Sequence, residues 1–578
     1  MTATQQTISG IHLGDQTVRK VFKWGDQVRP TSTPPAPSGE YIEYKMRADN
    51  SGNLYVPISG INFNWNKDAS YDWKISIDWW TELPASWTWS SNRYLTFGWY
   101  SSGTVYTIRI KPVTESYWWA RAYGWDYISY ARYVTEIVYD WSYMGYAESA
   151  TNTWGYFKSF QYRNCSSLTT APNESLPNTV TTIWYRFKHR QYYWCSSLTS
   201  AEVEAIPNSV ITIWDEFKSR QYENCSSLTT AASEVMPNSV TSIWNKFREY
   251  QYIYCTALRT AASEAMSSSI TTIWNYFRID QYYWCTHLTT AADEVFSSNV
   301  GVSIWDDFRT CQYWNCTALT TAWNEAMSGS VTTIWNNFRK EQYKWCNHLT
   351  IAASEAMSDY TTSIWDNFRA NQYEWCTSMT TVWNEAMPNS VTSLWSNFRY
   401  YQYKNCTALT TTWREALSNS LTRIKGNFRT YQYYWCSSLT ASPDEVMPDS
   451  VTYIEGSFRN NQYNWCASLI TAWDEALSDN IATIQSYFRA YQYYNCSSLS
   501  VATLVANNLL PSSKRAGQFS QAGNSLVITI IWDVRDACYQ SAFLSPDNVD
   551  EIRVPNELLS AYQNSSDWSA VSSKFVWY

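Results

Sequence analysis

The chain has 578 residues, 45% of them hydrophobic, and 42 Lys+Arg against 50 Asp+Glu give a formal charge of −8. Mild acidity without a Lys/Arg-rich block argues against a nucleic-acid partner, because such binders draw affinity from neutralised phosphates. No apolar run approaches the ~18–20 residues of a membrane span, and Met1–Gly14 has neither the basic start nor the apolar stretch of a secretory signal.

Residues 1–30 hold two short strand-like runs bridged by Gly-Asp, a small β-unit. A Pro/Ser linker follows over 31–40 (TSTPPAPSGE). Residues 41–115 alternate apolar and polar side chains (YIEYKM, WKISIDWW, TVYTIRIKP) and predict a small β-sandwich. Residues 116–150 are read as the N-terminal cap of a repeat array.

From 151 to 499 the sequence repeats itself. Cys165, Cys195, Cys225, Cys255 and Cys285 recur every 30 residues, and Cys316, Cys346, Cys376, Cys406, Cys436, Cys466 and Cys496 continue after one inserted residue near Gly301. A fixed period of this length marks a solenoid, whose units bury their apolar faces only by stacking. In each unit a segment such as Val240-Thr241-Ser242-Ile243 alternates as a short half-buried strand. TAASEAM and FREYQY carry apolar residues at helical spacing and predict short helical turns. Pro237-Asn238 supplies the turn before the strand. The fold class expected is therefore a mixed α/β repeat solenoid of twelve coils, with short parallel strands and helical turns, preceded by a small β-sandwich. With strands ~4.8 Å apart, the array is a rod roughly 50 Å long. Residues 500–578, with SLVITIIW and EIRVPNELLSAYQ, supply a strand and an amphipathic helix to cap the open end.

The columns Pro237-Asn238-Ser239-Val240-Thr241-Ser242-Ile243, Phe247, Cys255 and Leu258 resemble the BspA-type leucine-rich-repeat family of bacterial surface proteins and phage tail proteins. The likeness covers about 150–500, although this unit is longer than the family's usual one. The stretch 60–110, with Ile77-Asp78-Trp79-Trp80, is similar to the domain preceding such repeats in some surface proteins, and VPNELLSAYQNSSDWS to the segment at their C-terminal end. The resemblance implies exposure on a cell surface or a virion.

Tryptophan breaks the pattern. Gly is only 17 of 578 residues while Trp is 35; about 7% Gly is usual. Where the family generally has Gly after the strand Ile, this chain has Trp184, Trp214, Trp244, Trp274, Trp305, Trp335, Trp365 and Trp395. Just before Cys, Trp194, Trp284, Trp345, Trp375, Trp435 and Trp465 alternate with Asn164, Asn224, Asn315, Asn405, Asn495 and Tyr254. A third column exchanges Trp323, Trp383, Trp413 and Trp473 with Ala or Pro. Asn and Gly share tolerance of left-handed backbone; Asn and Trp share almost nothing. One reading is that many of these positions are Gly in the natural protein, from a gene in an alternative genetic code that reads UGA as Gly. The other is a real ladder of stacked rings.

Catalytic patterns are absent from the sequence: no HExxH, GxSxG or GxxxxGK[ST] occurs. His287 and His348 sit two residues after a ladder Cys, but the slot is otherwise mostly Ser or Ala, short of the four ligands of a structural zinc site. No cofactor or metal is expected. The Cys column reads as buried small hydrophobes or as a disulfide framework, the former favoured by sparse, like-facing positions. Gln191, Gln221, Gln251 and Gln281 suggest a stacked amide ladder. Glu234, Glu264, Glu294 and Glu325 make an acidic column and Arg248, Arg278, Arg309 and Arg339 a basic one, expected as a solvated, mutually compensating surface, with a calcium-binding stripe as the alternative.

Function is expected at the variable positions between Arg and Gln and between Tyr and Cys. There Tyr250, Asp280, Glu341, Tyr400, Tyr401 and Tyr431 are the candidate binding tips, unless they are unconstrained solvent positions. The chain is read as a non-enzymatic surface adhesion protein that binds a protein or glycan on another surface, located at the cell surface or extracellularly. The alternative is a phage tail-associated receptor-binding or structural protein on a virion. A hydrolase of surface polymers is disfavoured by the lack of paired catalytic groups.

Overall fold

The computed structural model describes residues 11–13, 16–18, 42–57, 71–78, 83–87, 94–98, 100–112 and 131–139, and then 151–578 except 154–156, 172–173, 177, 202–203, 233–235, 263–265, 292–302, 323–330, 353–356, 383–386, 413–416, 443–446, 474–479, 482, 485–486, 505–516 and 532–545. The chain divides into two compact units, one of Met1–Ala122 with Val134–Tyr146, the other of Tyr123–Tyr133 with Ala147–Tyr578.

In the first unit, β1 (Ile11–Leu13) and β2 (Gln16–Val18) form the antiparallel pair expected around Gly-Asp. Six alternating segments follow: β3 (Ile42–Arg47), β4 (Leu54–Pro57), β5 (Tyr71–Ile77), β6 (Leu83–Trp87), β7 (Tyr94–Phe97) and β8 (Val105–Pro112). With β9 (Val134–Tyr139) they make a five-stranded antiparallel sheet of order β6-β5-β8-β3-β9 and a separate β4–β7 pair. The strands of the expected sandwich are thus present as one larger sheet and a small pair. Val134–Tyr139, placed by the sequence in a cap over 116–150, instead pairs with β3. Tyr44, Met46, Ile75, Ile77, Ile108 and Val134 are buried, as alternation requires when one face meets a core.

The second unit is a parallel β-solenoid. Eleven two-residue strands, from Thr182–Ile183 to Thr483–Ile484, form one parallel sheet in chain order, with Ile243 set beside Ile213 and Ile273. Neighbours are for the most part the same residue type one coil away, so side chains stack on copies of themselves. Phe rings from Phe157 to Phe488 lie 5.0–5.5 Å apart, centroid to centroid. Tyr rings from Tyr162 to Tyr493 lie 5.2–5.5 Å apart. Such pairs each contribute about 0.5–1.5 kcal/mol beyond burial.

The expected helical turns of FREYQY are not there. Lys246, Arg248, Tyr250 and Tyr254 have φ of 60°, 55°, 55° and 60°, left-handed backbone that no helix of L-residues sustains. Alternate amides leave the local chain. Lys246, Tyr250, Tyr252 and Tyr254 donate to Asn275, Ile279, Gln281 and Tyr283 of the next coil at 2.9–3.0 Å, and Arg248 to Phe217 of the previous one at 2.9 Å. The intervening Glu249, Gln251 and Ile253 donate three residues back at 3.3–3.4 Å. Every second N–H of the segment therefore ties two coils together, which offsets the cost of about 1–2 kcal/mol per left-handed residue. The core of TAASEAM lies outside the described residues, and its described ends are not helical.

Buried polar ladders add register. Each Gln side chain donates through Nε2 to Oε1 of the Gln one coil back, from Gln191→Gln161 at 3.2 Å to Gln518→Gln492 at 3.0 Å. The Cys column is buried and free, and each thiol from Cys195 onward contacts a Tyr carbonyl of the previous coil, as Cys255 does with Tyr222 at 3.0 Å. The Arg column corrects the sequence reading. Arg248, Arg278, Arg309 and Arg339 are at most 1% exposed, with Cζ 4.9–5.1 Å from the centroid of the preceding Phe ring. Flat guanidinium planes cover ring faces well, which contributes to the column's burial.

Residues 517–522 continue the stack as a partial coil. Gln518 joins the amide ladder, Phe519 stacks on Tyr493 at 5.3 Å, and Ala522 is buried in the slot that Cys occupies elsewhere. Gly517 has φ 63°, and a Cβ there would stand 2.5 Å from the Tyr491 ring. The end is closed by a five-stranded parallel sheet of Thr471–Trp473, Val501–Leu504, Leu526–Ile530, Val549–Val554 and Phe575–Trp577. EIRV is thus strand, the helix of that stretch is α1 (Asn556–Gln563), and a 3-10 segment over Ser566–Lys574 follows it.

Candidate binding face

Tyr250, Asp280, Glu341, Tyr401 and Tyr431 fall into a single column, with φ between 51° and 58°. Tyr400 precedes it by one residue. The column continues through Arg190, Arg220, Cys311, Asn371, Asn461 and Tyr491, all left-handed. A second column lies three residues later, with Arg163, Tyr193, Glu223, Tyr283, Lys344, Glu374, Lys404 and Tyr434. These lie between Tyr and Cys, where the sequence placed variable positions without singling out a residue.

The face changes character along its length. Toward its C-terminal end it is aromatic: Tyr400 meets Tyr401 edge-on at 4.2 Å, Tyr401 stacks on Tyr431 at 4.7 Å, and Tyr434 stands edge-on to Tyr431 at 5.4 Å. Lys404 lies 4.4 Å over the Tyr401 ring. Burial raises the Tyr401 and Tyr431 hydroxyls above their ordinary pKa, helped by Tyr400 in both cases. The rings present neutral phenols with an apolar body and a polar tip.

The middle is acidic and packed. Burial lifts Asp280 to about 7, Glu249 and Glu341 push the same way, and the Tyr250 hydrogen bond and Arg220 oppose them. Tyr250 is in turn raised to about 12 by burial and by Asp280 and Glu249. Cys311 Sγ lies 3.7 Å from Glu341 Oε2, and its thiol is pushed up by burial and by the acids Asp280 and Glu341. Glu374, 4% exposed, sits between Lys344 and Lys404 at 3.1 Å each. Burial would raise its pKa, but the Asn371 hydrogen bond and the two lysines outweigh that and lower it.

Near the first coils the face is basic and aromatic. Arg163 and Arg190 flank Phe160 and Tyr193, and Arg220 covers Tyr250 at 4.2 Å while pairing Glu223 at 3.0 Å. His189 beneath is held at about 3 by burial, then by Arg190, Arg186, Arg220 and Lys246.

The Trp columns separate cleanly. All twelve residues before the ladder Cys, whether Trp, Asn or Tyr254, have φ between 58° and 67°. The column after the strand Ile is different: none of its eight Trp is left-handed, and they stack at 4.2–5.7 Å. Lys425 then caps Trp395 at 3.7 Å. In the third column Ala232 and Ala262 are buried, and of its Trp only the backbone of Trp473 is among the described residues.

His287 and His348 are exposed, each with Nδ1 2.6 Å from a backbone carbonyl, Thr256 and Thr317 respectively. Among the described residues no group of three His, Cys, Asp or Glu is placed to hold a metal ion, and no helix is long and apolar enough to cross a membrane. The acidic column of Glu234, Glu264, Glu294 and Glu325 lies outside the described residues.

No protein family and no curated protein matches the chain. Among solved structures it is similar to a leucine-rich repeat protein from Bacteroides ovatus ATCC 8483, crystallised at 1.19 Å resolution, with a TM-score of 0.35 and 16% identity over 77% of this chain and 94% of that one.

Proposed function

We propose that this chain is a non-enzymatic binding protein of the BspA-type leucine-rich-repeat kind, displayed on a cell surface, which grips protein or glycan ligands with the tip columns of its solenoid. The observation that carries the reading is the gathering of Tyr400, Tyr401, Tyr431 and Tyr434 as contacting rings on a backbone fixed by inter-coil hydrogen bonds. A face ordered before binding loses little entropy on contact. Immobilised protein and glycan panels test it: the wild-type chain should retain a ligand that Tyr401→Ala/Tyr431→Ala loses at least tenfold, with an unchanged melting temperature. Equal retention by the double variant removes the tip face from the function.

The same proposal includes an alternative code. Six Trp share a left-handed column with five Asn, where Gly would be free of strain, so Gly from UGA suits Trp194, Trp284, Trp345, Trp375, Trp435 and Trp465. The stacked column lends no such support. Codons reading UGG at the six positions would end this part of the proposal.

A further inference from the structure

The C-terminal end of the tip face carries no charge. Between Arg429 and Cys496 the tip positions of three successive coils hold only Thr, Tyr, Trp, Asn and Ala. The last charged tip before them, Lys404, lies 3.1 Å from Glu374 and 4.4 Å over the Tyr401 ring. Two of the three coils set a pair of tyrosines edge-on in the same two columns, Tyr431 with Tyr434 at 5.4 Å and 77°, and Tyr491 with Tyr494 at 5.7 Å and 83°. The coil between them carries amides instead. Asn464 Nδ2 donates to Asn461 Oδ1 at 2.6 Å, and Asn461 Nδ2 donates to Asn460 Oδ1 at 2.8 Å. Asn461 and Asn464 are buried and Asn460 is half-buried, so the relay holds an oriented carboxamide at the surface. Tyr491 is fixed from the far side, because its ring fills the place a side chain would take at Gly517. None of these residues stands in a Trp column, so the set is the same under either reading of the code.

We infer that the Tyr431–Tyr434 and Tyr491–Tyr494 pairs, with the Asn460 amide between them, form a subsite for an uncharged oligosaccharide. The inference rests on the reading of the tip columns as a binding face and names the ligand of one end of it. With no charge on these tips, an ionic ligand gains nothing here to offset its desolvation, and the net −8 of the chain repels polyanions. Three coils span two spacings of ~4.8 Å, a strip about 10 Å long. That is far short of the ~800 Å² per partner in a stable protein interface, but it accommodates a few sugar rings. Phenol rings pack on the C–H faces of a sugar while their hydroxyls bond its rim. A carboxamide donates and accepts at once, as sugar hydroxyls do. An apolar peptide would cover the rings and leave the Asn460 amide shut off from water without a partner, which is costly.

The test is binding of the full chain to immobilised laminarin, mannan and dextran, all uncharged, with polygalacturonate and polyproline as comparison probes. The wild-type chain should retain at least one of the uncharged polysaccharides, equally at low and high salt, since no exposed charge takes part. Tyr434→Ala/Tyr494→Ala should lose at least tenfold at an unchanged melting temperature, and Asn460→Ala at least threefold. Should the double variant unfold, Tyr434→Phe/Tyr494→Phe keeps the rings, removes only the hydroxyls, and should lose at least threefold. No retention by the wild type, an unaltered affinity in these variants, or polyproline or polygalacturonate held as tightly would each overturn the subsite. The wider reading would then still stand on the panel ligand that Tyr401→Ala/Tyr431→Ala loses. Conversely, a glycan lost by Tyr434→Ala/Tyr494→Ala, with no ligand dependent on Tyr401, strikes the wider reading's central cluster and spares the subsite.

Discussion

Replacing Trp by Gly should have opposite signs in the two described Trp columns. Trp194 has φ 63° and is 52% exposed, and its ring touches Tyr193 at 6.1 Å. Gly there relieves about 1–2 kcal/mol of left-handed strain and costs about 0.5–1 kcal/mol in added freedom of the unfolded chain. The net is stabilisation of roughly 0.5–1 kcal/mol. Trp335 is half-buried, is not left-handed, and stacks on Trp305 and Trp365 at 5.2 and 4.8 Å. Gly there forfeits two stacks of about 0.5–1.5 kcal/mol each, in addition to burial and the same entropic cost, for a loss of roughly 2.5–5.5 kcal/mol. Urea unfolding followed by circular dichroism reads both. Because solenoids can unravel from their ends, the sharper comparison joins all six pre-Cys substitutions, Trp194, Trp284, Trp345, Trp375, Trp435 and Trp465, each to Gly. Their sum should reach roughly 3–6 kcal/mol, less where Trp345–Trp375 and Trp435–Trp465 contacts are lost. A sixfold variant less stable than its parent, or a stabilising Trp335→Gly, would refute the strain argument.

Asp280 should make stability depend on pH. Its pKa is raised from 3.8 to about 7, so the folded state binds the extra proton; the associated stability is full below about pH 4 and is lost as pH rises to about 7. Asp280→Asn should therefore gain on the wild type as pH rises from 4 to 8, by no more than about 4 kcal/mol; urea midpoints that differ equally at both pH values would contradict this. Gln312→Leu removes the bond to Gln281 at 3.1 Å and the one from Gln342 at 3.2 Å. Two buried amide groups are then left unsatisfied, and a loss of about 2–5 kcal/mol is expected in the same unfolding assay, with Gln312→Asn intermediate. The ladder thiols are buried, and from Cys195 to Cys496 burial raises their pKa. Iodoacetamide at pH 8 should leave these cysteines unlabelled in the native chain and label them in urea, as counted by mass spectrometry; native labelling of Cys255 would show that the column opens.

The repeat was legible because stacked identical side chains must recur at one period, and Cys, Leu, Phe, Gln and Tyr all do. The left-handed column before Cys was legible too, through the exchange of Asn with Trp at a site where only backbone preference relates the occupants. FREYQY misled for a physical reason. Phe247 and Tyr250 stand three apart, as on one face of a helix, yet the buried pair is Phe247 and Tyr252, and nothing in one coil shows that its amides are claimed by the next. The tip column was half legible: Tyr250 and Tyr401 were found by their variability, whereas Arg190 and Cys311 share their backbone geometry and needed the coils to be aligned.

The charged columns show where single-coil reasoning fails most. A cation stacked every ~5 Å repels its neighbour by about 3 kcal/mol even at an effective dielectric of about 20, which favours water. Yet Lys158, Lys188, Lys218 and the Arg column from Arg248 to Arg489 are all at most 5% exposed. Ring faces return about 0.5–2 kcal/mol per guanidinium, too little to hold the stack by themselves. The column therefore needs compensating negative charge. The acid that recurs once per unit at constant phase is the Glu of the column through Glu234, Glu264, Glu294 and Glu325. Inserting or deleting a whole coil therefore adds or removes one Arg and one Glu of the sequence together, while losing a single Arg or Glu leaves the other without its match.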